Sequence, residues 1–361
     1  MQSWSFCFAG AILKDERCTN DANRTTILNM KYLTKQKWIL INIALLLLLL
    51  LTIVIAVNIG GQKIDLLKVF KDYGSKDSAI FFTSRLPRVL LAGLVGLSLA
   101  SSGGAYQSLL RNPLADPYIL GVSGGAALGS VIAVGLGLPF IGTSILSFIF
   151  SLISMFLIFA IAKTKGRLPS HTLLLTGVIF NAFCFAIILF INSIVTMEQA
   201  YQIIFLLIGN IGAISYNSLL SASILILAGF LMLTFLGKNI NVLTLGDEEA
   251  MHLGVNSNRL RIMVFFASSL MVGTSVALSG LIGFVCLFIP HIVRLVFGPD
   301  NRLLIPASGF FGAIFLIISD TISRTILINT TFSTELPVGV ITALIGAPVF
   351  MFLLKKQQVF I

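Results

Sequence analysis

Ten apolar segments of about 20 residues, separated by short polar stretches, constrain this chain more than any other feature. About 20 consecutive apolar residues cross a bilayer as a helix, which satisfies its own backbone hydrogen bonds. We therefore predict an all-α integral membrane protein with about ten transmembrane helices. The predicted spans are approximately 38–58, 86–108, 118–138, 143–162, 171–193, 217–236, 260–279, 282–297, 303–322 and 336–354. A short helix with a re-entrant loop is predicted over 198–212, and a polar loop over 238–258.

The charge content excludes two soluble alternatives. Only 11% of the 361 residues are charged and 57% are hydrophobic, whereas a soluble domain carries about 25% charged residues. The net charge of +10 comes from 24 lysines and arginines that lie dispersed at the ends of the apolar segments, with no basic stripe. This placement is typical of topology signals and not of a nucleic-acid-binding surface.

The distribution of lysine and arginine also predicts the orientation, because cytoplasmic loops carry an excess of both residues. With both termini in the cytoplasm, 17 of these residues lie on the inner side and seven on the outer side. The outer seven are Lys63, Lys68, Lys71, Lys76, Arg85, Arg88 and Arg324. An even number of spans with both ends inside is the consistent topology.

Composition divides the chain into a tail and a membrane domain. Residues 1–37 are polar and are expected to form a cytoplasmic tail, while residues 38–356 form the ten-helix domain with a cytoplasmic loop at 244–258. The apolar run in the tail is too short for a signal peptide. Because Met30 and the basic residues after it resemble a natural start, we interpret residues 1–29 as a disordered extension or a start-site artefact.

Small residues recur at every fourth position in two predicted spans, which lets helix backbones approach closely in lipid. They are Ala92, Gly96, Ala100, Gly104 and then Gly121, Gly125, Gly129, Ala133, Gly137. An internal repeat is also present, because residues 95–103 match residues 272–280 at six of nine positions. The copies lie in the second and seventh spans and therefore cross in opposite directions. Inverted repeats of this kind are typical of transporters.

The sequence contains no recognisable catalytic or metal-binding pattern. Phosphate-loop, zinc-protease and nucleophile-elbow motifs are missing, and the four cysteines lack metal-ligand spacing. Cys184 and Cys286 lie in apolar segments and are expected to be buried thiols. We therefore expect a non-catalytic chain that binds no metal and no cofactor. A stand-alone secondary transporter or channel is the alternative, although ion coupling needs ionisable groups that the spans mostly lack.

Three arginines are predicted on the outer side, where positive residues are disfavoured. Arg85 and Arg88 open the second span with Pro87 between them, and Arg324 follows the ninth span. They could simply snorkel to the interface. Alternatively, their forked guanidinium groups bind carboxylates on an extracellular partner. Asp320, one turn before Arg324, could instead neutralise Arg324 within the chain.

Two cytoplasmic segments each have a structural and a functional interpretation. In the loop 244–254, three acidic residues follow Gly246 and Gly254 comes last, which predicts a short helix with a favourable first turn and a glycine stop. This helix is either a solvated loop element or a docking helix for a second protein. In the connector 111–117, two prolines stiffen the chain, and Pro113 keeps Asn112 out of the helical region. The connector is either a stiff turn or a constriction at the inner mouth of a pore.

Five blocks resemble the FecCD-type permeases, the membrane subunits of binding-protein-dependent ABC importers for iron–siderophore chelates, haem and cobalamin. The blocks are RLPR (85–88), NPLADPYILGVSGGA (112–126), LGDEEAMHLG (245–254), SGLIGFVCLFIPHIVR (279–294) and ELPVGVITALIGAPVF (335–350). The resemblance covers about residues 38–356 and implies a ten-helix, BtuC-like fold in a bacterial cell membrane. It also implies three kinds of partner, namely ABC ATPase subunits that hold ATP and Mg, an extracellular substrate-binding lipoprotein, and a second permease, identical or paralogous.

The resemblance further implies roles for individual residues. Docking of the binding protein falls on Arg85, Arg88 and Arg324. Coupling to the ATPase falls on Gly246, Asp247, Glu248, Glu249, Ala250, Leu253 and Gly254. The cytoplasmic gate falls on Asn112, Leu114, Pro169 and Ser170. Pro169 departs from the small hydroxyl residue of the cobalamin permease, so the expected cargo is a ferric siderophore first, then haem, then cobalamin.

Overall fold

The computed structural model describes residues 34–60, 75–163, 169–326 and 335–358, together with Val69 and Lys71. The predicted extension 1–29 and five predicted topology residues, Lys31, Lys63, Lys68, Lys165 and Arg167, lie outside these described residues. Within the described ranges, every regular element is a helix. This agrees with the all-α prediction.

Twelve helices follow one another along the described chain. They are α1 (Lys35–Asn58), α2 (Lys76–Leu109, with a π-helical turn at Ile80–Arg85), α3 (Val122–Gly135), α4 (Phe140–Ala162), α5 (Ser170–Ile194), α6 (Met197–Ile208), α7 (Tyr216–Leu243), α8 (Asp247–His252), α9 (Ser257–Ser279), α10 (Val285–Phe297), α11 (Asn301–Thr325) and α12 (Val338–Gln358). Seven of them, α1, α2, α4, α5, α7, α9 and α11, are long and apolar enough to cross a membrane. With the shorter apolar helices α3, α10 and α12 they make up the ten predicted spans.

Two spans are shorter than the sequence predicts. In place of 118–138 and 282–297, α3 and α10 hold 14 and 13 residues, or about 20 Å each at 1.5 Å per residue. Before each helix the backbone takes a positive φ, 75° at Gly121 and 70° at Phe284, which interrupts regular helix geometry. The two irregular segments meet, because the Tyr118 hydroxyl donates to the Ile282 carbonyl at 2.7 Å.

The loop predicted at 238–258 is also shorter, because α7 continues to Leu243. Its last turns are held by the segment before α11. The Asn241 amide donates to Asp300 Oδ1 at 2.7 Å and accepts from the Asn301 backbone N–H at 2.8 Å. This tertiary anchor extends the helix past the polar residues that end the apolar pattern.

The predicted inverted repeat appears as two sets of four spans. The set α2, α3, α4, α5 and the set α9, α10, α11, α12 share one order, in which a long helix is followed by a short helix and two longer ones. The first helices of the two sets run antiparallel, because Ser102 contacts Met271 while Tyr106, one turn later, stacks on Phe265. The repeat in the sequence is therefore a repeat in the fold.

The first helix of each set packs against helices of the other set. Helix α2 packs on α10 and α11 of the second set, and α9 packs on α3 and α4 of the first. Gly96 and Gly273, at the same position of the repeat, both lie at these contacts. A Cβ at Gly96 would come within 2.2 Å of the Gly312 carbonyl oxygen in α11, and a Cβ at Gly273 within 3.0 Å of Ser151 Oγ in α4. The small-residue stripes thus bring backbones together, as predicted.

Candidate functional site

The three arginines predicted to face an outer partner are buried within the chain. Arg85, Arg88 and Arg324 are 5%, 8% and 8% exposed. Arg85 closes the π-helical turn that opens α2, Arg88 lies one turn further on, and Arg324 lies at the end of α11. A buried guanidinium needs a partner for its charge and its N–H groups. The contacts of each arginine therefore show what it does in the resting chain.

Arg85 holds the end of α1. Its Nη1 donates to the carbonyl oxygens of Val57 and Asn58 at 3.2 and 3.3 Å. These carbonyls belong to the last turn of a helix, where no intrahelical donor is available. Gly60 also packs against this side chain, because a Cβ there would come within 2.7 Å of Arg85 Cζ. Arg85 thus fixes the first span to the start of the second.

Arg88 and Arg324 share one carboxylate. Arg88 Nε donates to Asp320 Oδ1 at 3.0 Å, and Arg324 Nε lies 3.0 Å from Asp320 Oδ2. The Asp320 side chain is fully buried between them. The interpretation in which Asp320 neutralises Arg324 within the chain is therefore the one observed in this structure.

Glu335 completes a cluster that the predicted topology places on the outer side. We call it the outer cluster and define it as Arg85, Arg88, Asp320, Arg324 and Glu335. Arg88 Nη1 donates to Glu335 Oε2 at 2.6 Å, and the Glu335 side chain is 59% exposed. Sequence reasoning missed this residue, although an acidic residue at the start of the last predicted span was the available signal.

The loop helix predicted between Gly246 and Gly254 is present as α8. Its first turn carries Asp247, Glu248 and Glu249, and the helix ends where Gly254 adopts a φ of 79°. Ala250 is buried against the rest of the chain, whereas Met251 and Leu253 are exposed. The helix therefore presents acidic and apolar side chains together on the outside of the chain.

Helix α8 is tied to a span by one ion pair. Arg261 Nη2 donates to both carboxylate oxygens of Asp247, at 2.9 and 3.1 Å. Arg261 lies in the first turns of α9 and is buried, while the Asp247 side chain is about half exposed. The pair joins α8 to the first helix of the second set. No pattern in the sequence indicated Arg261 as the partner of Asp247.

The connector before α3 forms a rigid turn. Asn112 Oδ1 accepts from the Leu114 backbone N–H at 2.9 Å, and the Leu114 side chain is 45% exposed. Arg111 Nη2 donates to the Leu243 carbonyl at the end of α7 at 2.7 Å, which links the connector to the chain entering α8. The second pair of predicted gate residues, Pro169 and Ser170, occupies the N-cap and first position of α5.

Asp116 is a buried acid within this connector. Its Oδ1 accepts from the Ile119 backbone N–H at 2.6 Å, and its Oδ2 lies 3.6 Å from Cys286 Sγ in α10. Burial raises the pKa of Asp116 to about 6. Cys184 and Cys286 are both buried, as predicted. Among the residues that the structure describes, no group of three or more His, Cys, Asp or Glu side chains could hold a metal ion.

Two named permeases are similar to this chain over most of their length. The hemin transport system permease protein HmuU of Yersinia pestis is 39% identical over 285 residues, which is 77% of this chain and 84% of HmuU. The cobalamin import system permease protein BtuC of Halobacterium salinarum is 40% identical over 280 residues, covering 77% of this chain and 73% of BtuC.

A solved structure and a family model extend the similarity to the fold. An inward-facing conformation of a metal-chelate type ABC transporter superimposes with a TM-score of 0.77 at 33% identity, over 88% of this chain and 99% of that chain. The model of the FecCD transport family matches residues 47–356. This range contains all of the spans described above except the start of α1 and the end of α12. The chain is therefore a multi-pass membrane protein that belongs to the FecCD transport family.

Proposed function

We propose that this chain is the permease subunit of an ABC importer that carries a ferric siderophore into a bacterial cytoplasm. The observation that carries the proposal is α8, a short exposed helix joined to a span by the Asp247–Arg261 pair. Such a helix gives an energy-supplying partner a surface to push against. In this proposal no residue of the chain is catalytic, and ATP and Mg are held by separate ATPase subunits.

An iron chelate is favoured over cobalamin as the cargo, because Pro169 departs from the hydroxyl residue expected in a cobalamin permease. Identities of 39% with the hemin permease and 40% with the cobalamin permease do not rank these two cargoes. Haem is the second candidate and cobalamin the third.

The proposed mechanism follows the contacts of α8. Closure of the ATPase subunits on ATP displaces α8, and Asp247 transmits the displacement to α9 through Arg261. The same loop reaches the connector through the Leu243 carbonyl and Arg111. Because α9 packs on α3 and α4 while α2 packs on α10 and α11, the bodies that rock are these exchanged groups and not the two sequence halves. The connector with Asn112 and Leu114, together with Pro169 and Ser170, then closes or opens the inner mouth.

The binding protein is proposed to dock at the outer cluster. Its carboxylates would bind the forked guanidinium groups of Arg85, Arg88 and Arg324. Arg88 is the entry point, because its Glu335 partner is exposed and can be replaced from outside, whereas Asp320 is buried. Docking at this site is therefore an exchange of partners and not the filling of an empty site.

The remaining parts of the assembly follow from this arrangement. We propose that both termini face the cytoplasm, that residues 244–258 form the coupling loop, and that an identical or paralogous permease completes the pathway in the bilayer. Consistent with a missing neighbour, α5 keeps large apolar side chains exposed, among them Phe183 and Phe190 at 61% and 64%.

Transport in reconstituted vesicles tests the function. The chain is co-expressed with the ATPase and binding protein encoded beside it, reconstituted, and supplied with radiolabelled ferric siderophore, haem or cobalamin in separate assays. We expect ATP-dependent accumulation of the ferric siderophore. Preferential accumulation of haem or cobalamin would reassign the cargo. Uphill accumulation by the purified chain without any ATPase would contradict the importer proposal and favour a secondary transporter.

A further inference from the structure

We infer that a cleft between α7, α9 and the segment after α8 binds the headgroup of an anionic phospholipid. The cleft has a volume of about 410 Å³. Its polar wall is formed by Lys238, Asn239, Asn256 and Arg259, and its apolar wall includes Val242 and Met263. Leu253 and Gly254 of the proposed coupling loop border the cleft, but its two cations, Lys238 and Arg259, have no role in the sites described above.

The two cations of the cleft lack carboxylate partners among the described residues. Lys238 and Arg259 are both exposed and form no ion pair there, whereas Arg261 and Arg302 at the same end of the molecule each bind an aspartate. Asn256 uses its side-chain oxygen to cap α9, accepting from the Arg259 backbone N–H at 3.0 Å, so its amide N–H groups stay available. The cleft thus offers two positive charges and amide donors, which together suit a phosphate group.

The apolar surface that continues from the cleft distinguishes a lipid from a soluble phosphate. Along α7, Leu231 and Phe235 lie on the same stripe as Lys238, at spacings of seven and three residues, and are 52% and 80% exposed. Along α9, Met263 and Phe266 lie on the stripe of Arg259 at spacings of four and seven, and are 37% and 42% exposed.

These two helices pack against each other, and each apolar stripe ends in a cation that lines the cleft. An exposed apolar groove that closes with a pair of basic side chains matches the acyl chains and the charged headgroup of one phospholipid. In the proposed orientation the cations lie at the cytoplasmic surface, where anionic lipids attract basic residues.

Titration of phosphatidylglycerol into the delipidated full-length chain, followed by native mass spectrometry, tests the inference. We expect the first phosphatidylglycerol to bind more tightly than phosphatidylcholine. The double variant K238Q/R259Q should weaken that first binding step about thirty-fold, since each basic residue near an anionic headgroup contributes about 1 kcal/mol. Binding of phosphatidylcholine should not change.

The matched control removes two positive charges elsewhere. Lys163 and Lys355 are exposed lysines near the ends of α4 and α12 and do not line the cleft, so K163Q/K355Q should keep the preference for phosphatidylglycerol. An equal loss in this control would mean diffuse surface attraction and would overturn the site. Displacement of the lipid by glycerol phosphate alone would assign the cleft to a soluble phosphate. Loss of ATPase capture by K238Q/R259Q with the lipid preference intact would assign it to the ATPase interface.

Discussion

The outer cluster and α8 are both charged, but the arginines and Asp320 of the outer cluster are buried, whereas the acidic side chains of α8 are exposed. In the outer cluster, arginines that are less than a tenth exposed share a fully buried aspartate. At α8, three acidic residues stand in one exposed helical turn, and Asp247 binds the buried Arg261 of α9.

This difference separates two ways of using charge at a membrane surface. A buried ion pair loses its hydration and is stable only while both partners are present, so a ligand must replace one partner with another of the same charge. An exposed acidic helix keeps its hydration and can bind a basic or apolar cleft without breaking anything first. We therefore expect the outer cluster to change ion-pair partners when a ligand binds. We expect α8 to bind its partner without first losing a contact within the chain.

The largest effect is expected from the variant D320N. Two buried guanidinium groups would lose their shared counter-ion, which typically costs about 3–5 kcal/mol. Thermal unfolding of the purified chain in detergent should show a marked loss of stability. The matched variant E335Q removes the exposed acidic partner of the same Arg88 and should cost less than about 1 kcal/mol. Equal melting temperatures of D320N and E335Q would show that burial does not change how much each acidic residue contributes to stability.

The second largest effect on stability is expected at the packing contact between α2 and α11. Helices α2 and α11 cross at Gly96, where an added Cβ would come within 2.2 Å of the Gly312 carbonyl oxygen. The variant G96A should therefore cost about 1–3 kcal/mol through overpacking, measured as a lower melting temperature. The variant G212A, at a position with open space around it, is the control and should melt like the wild type. An unchanged melting temperature in G96A would mean that α2 and α11 can move apart at this contact without loss of stability.

The coupling pair gives the third effect. In the reconstituted importer, R261Q should lower the transport-to-ATP ratio several-fold, because couplings of this kind are worth about 0.5–2 kcal/mol. ATP hydrolysis itself should continue. The control variant R302Q removes a different ion pair, between Arg302 and Asp300 at 2.5 Å. Because this pair does not hold α8, R302Q should leave the transport-to-ATP ratio unchanged. If R261Q transports with normal efficiency, α8 does not act through α9.

The smallest effect is expected from E335Q on docking. Removing the internal competitor for Arg88 should tighten binding of the extracellular binding protein by about two- to fivefold, the range of an exposed ion pair. Surface plasmon resonance with the permease in nanodiscs measures this affinity. Weaker binding in E335Q would place Glu335 in the docking surface itself, which would contradict the exchange of partners proposed here.

Features that depend on neighbours in the sequence were predicted well. The limits of α8 follow from its first-turn acids and terminal glycines, and α6 followed by an irregular segment was expected within 198–212. Features that depend on distant residues were not. Helix α7 ends at Leu243, later than predicted, because Asn241 is held by Asp300 and Asn301. No local sequence pattern indicates this contact.

By itself, the sequence determined that this chain crosses a membrane about ten times, where most spans lie, and that two spans form an inverted repeat. These properties follow from apolar length and from small residues at a fixed spacing, which act locally. Only the tertiary structure decided that α3 and α10 are short and that Arg88 pairs with Asp320, 232 residues further along the chain. The reason is physical: the partner of a buried charge or a broken helix is set by which helices pack together, and a one-dimensional pattern does not contain that packing.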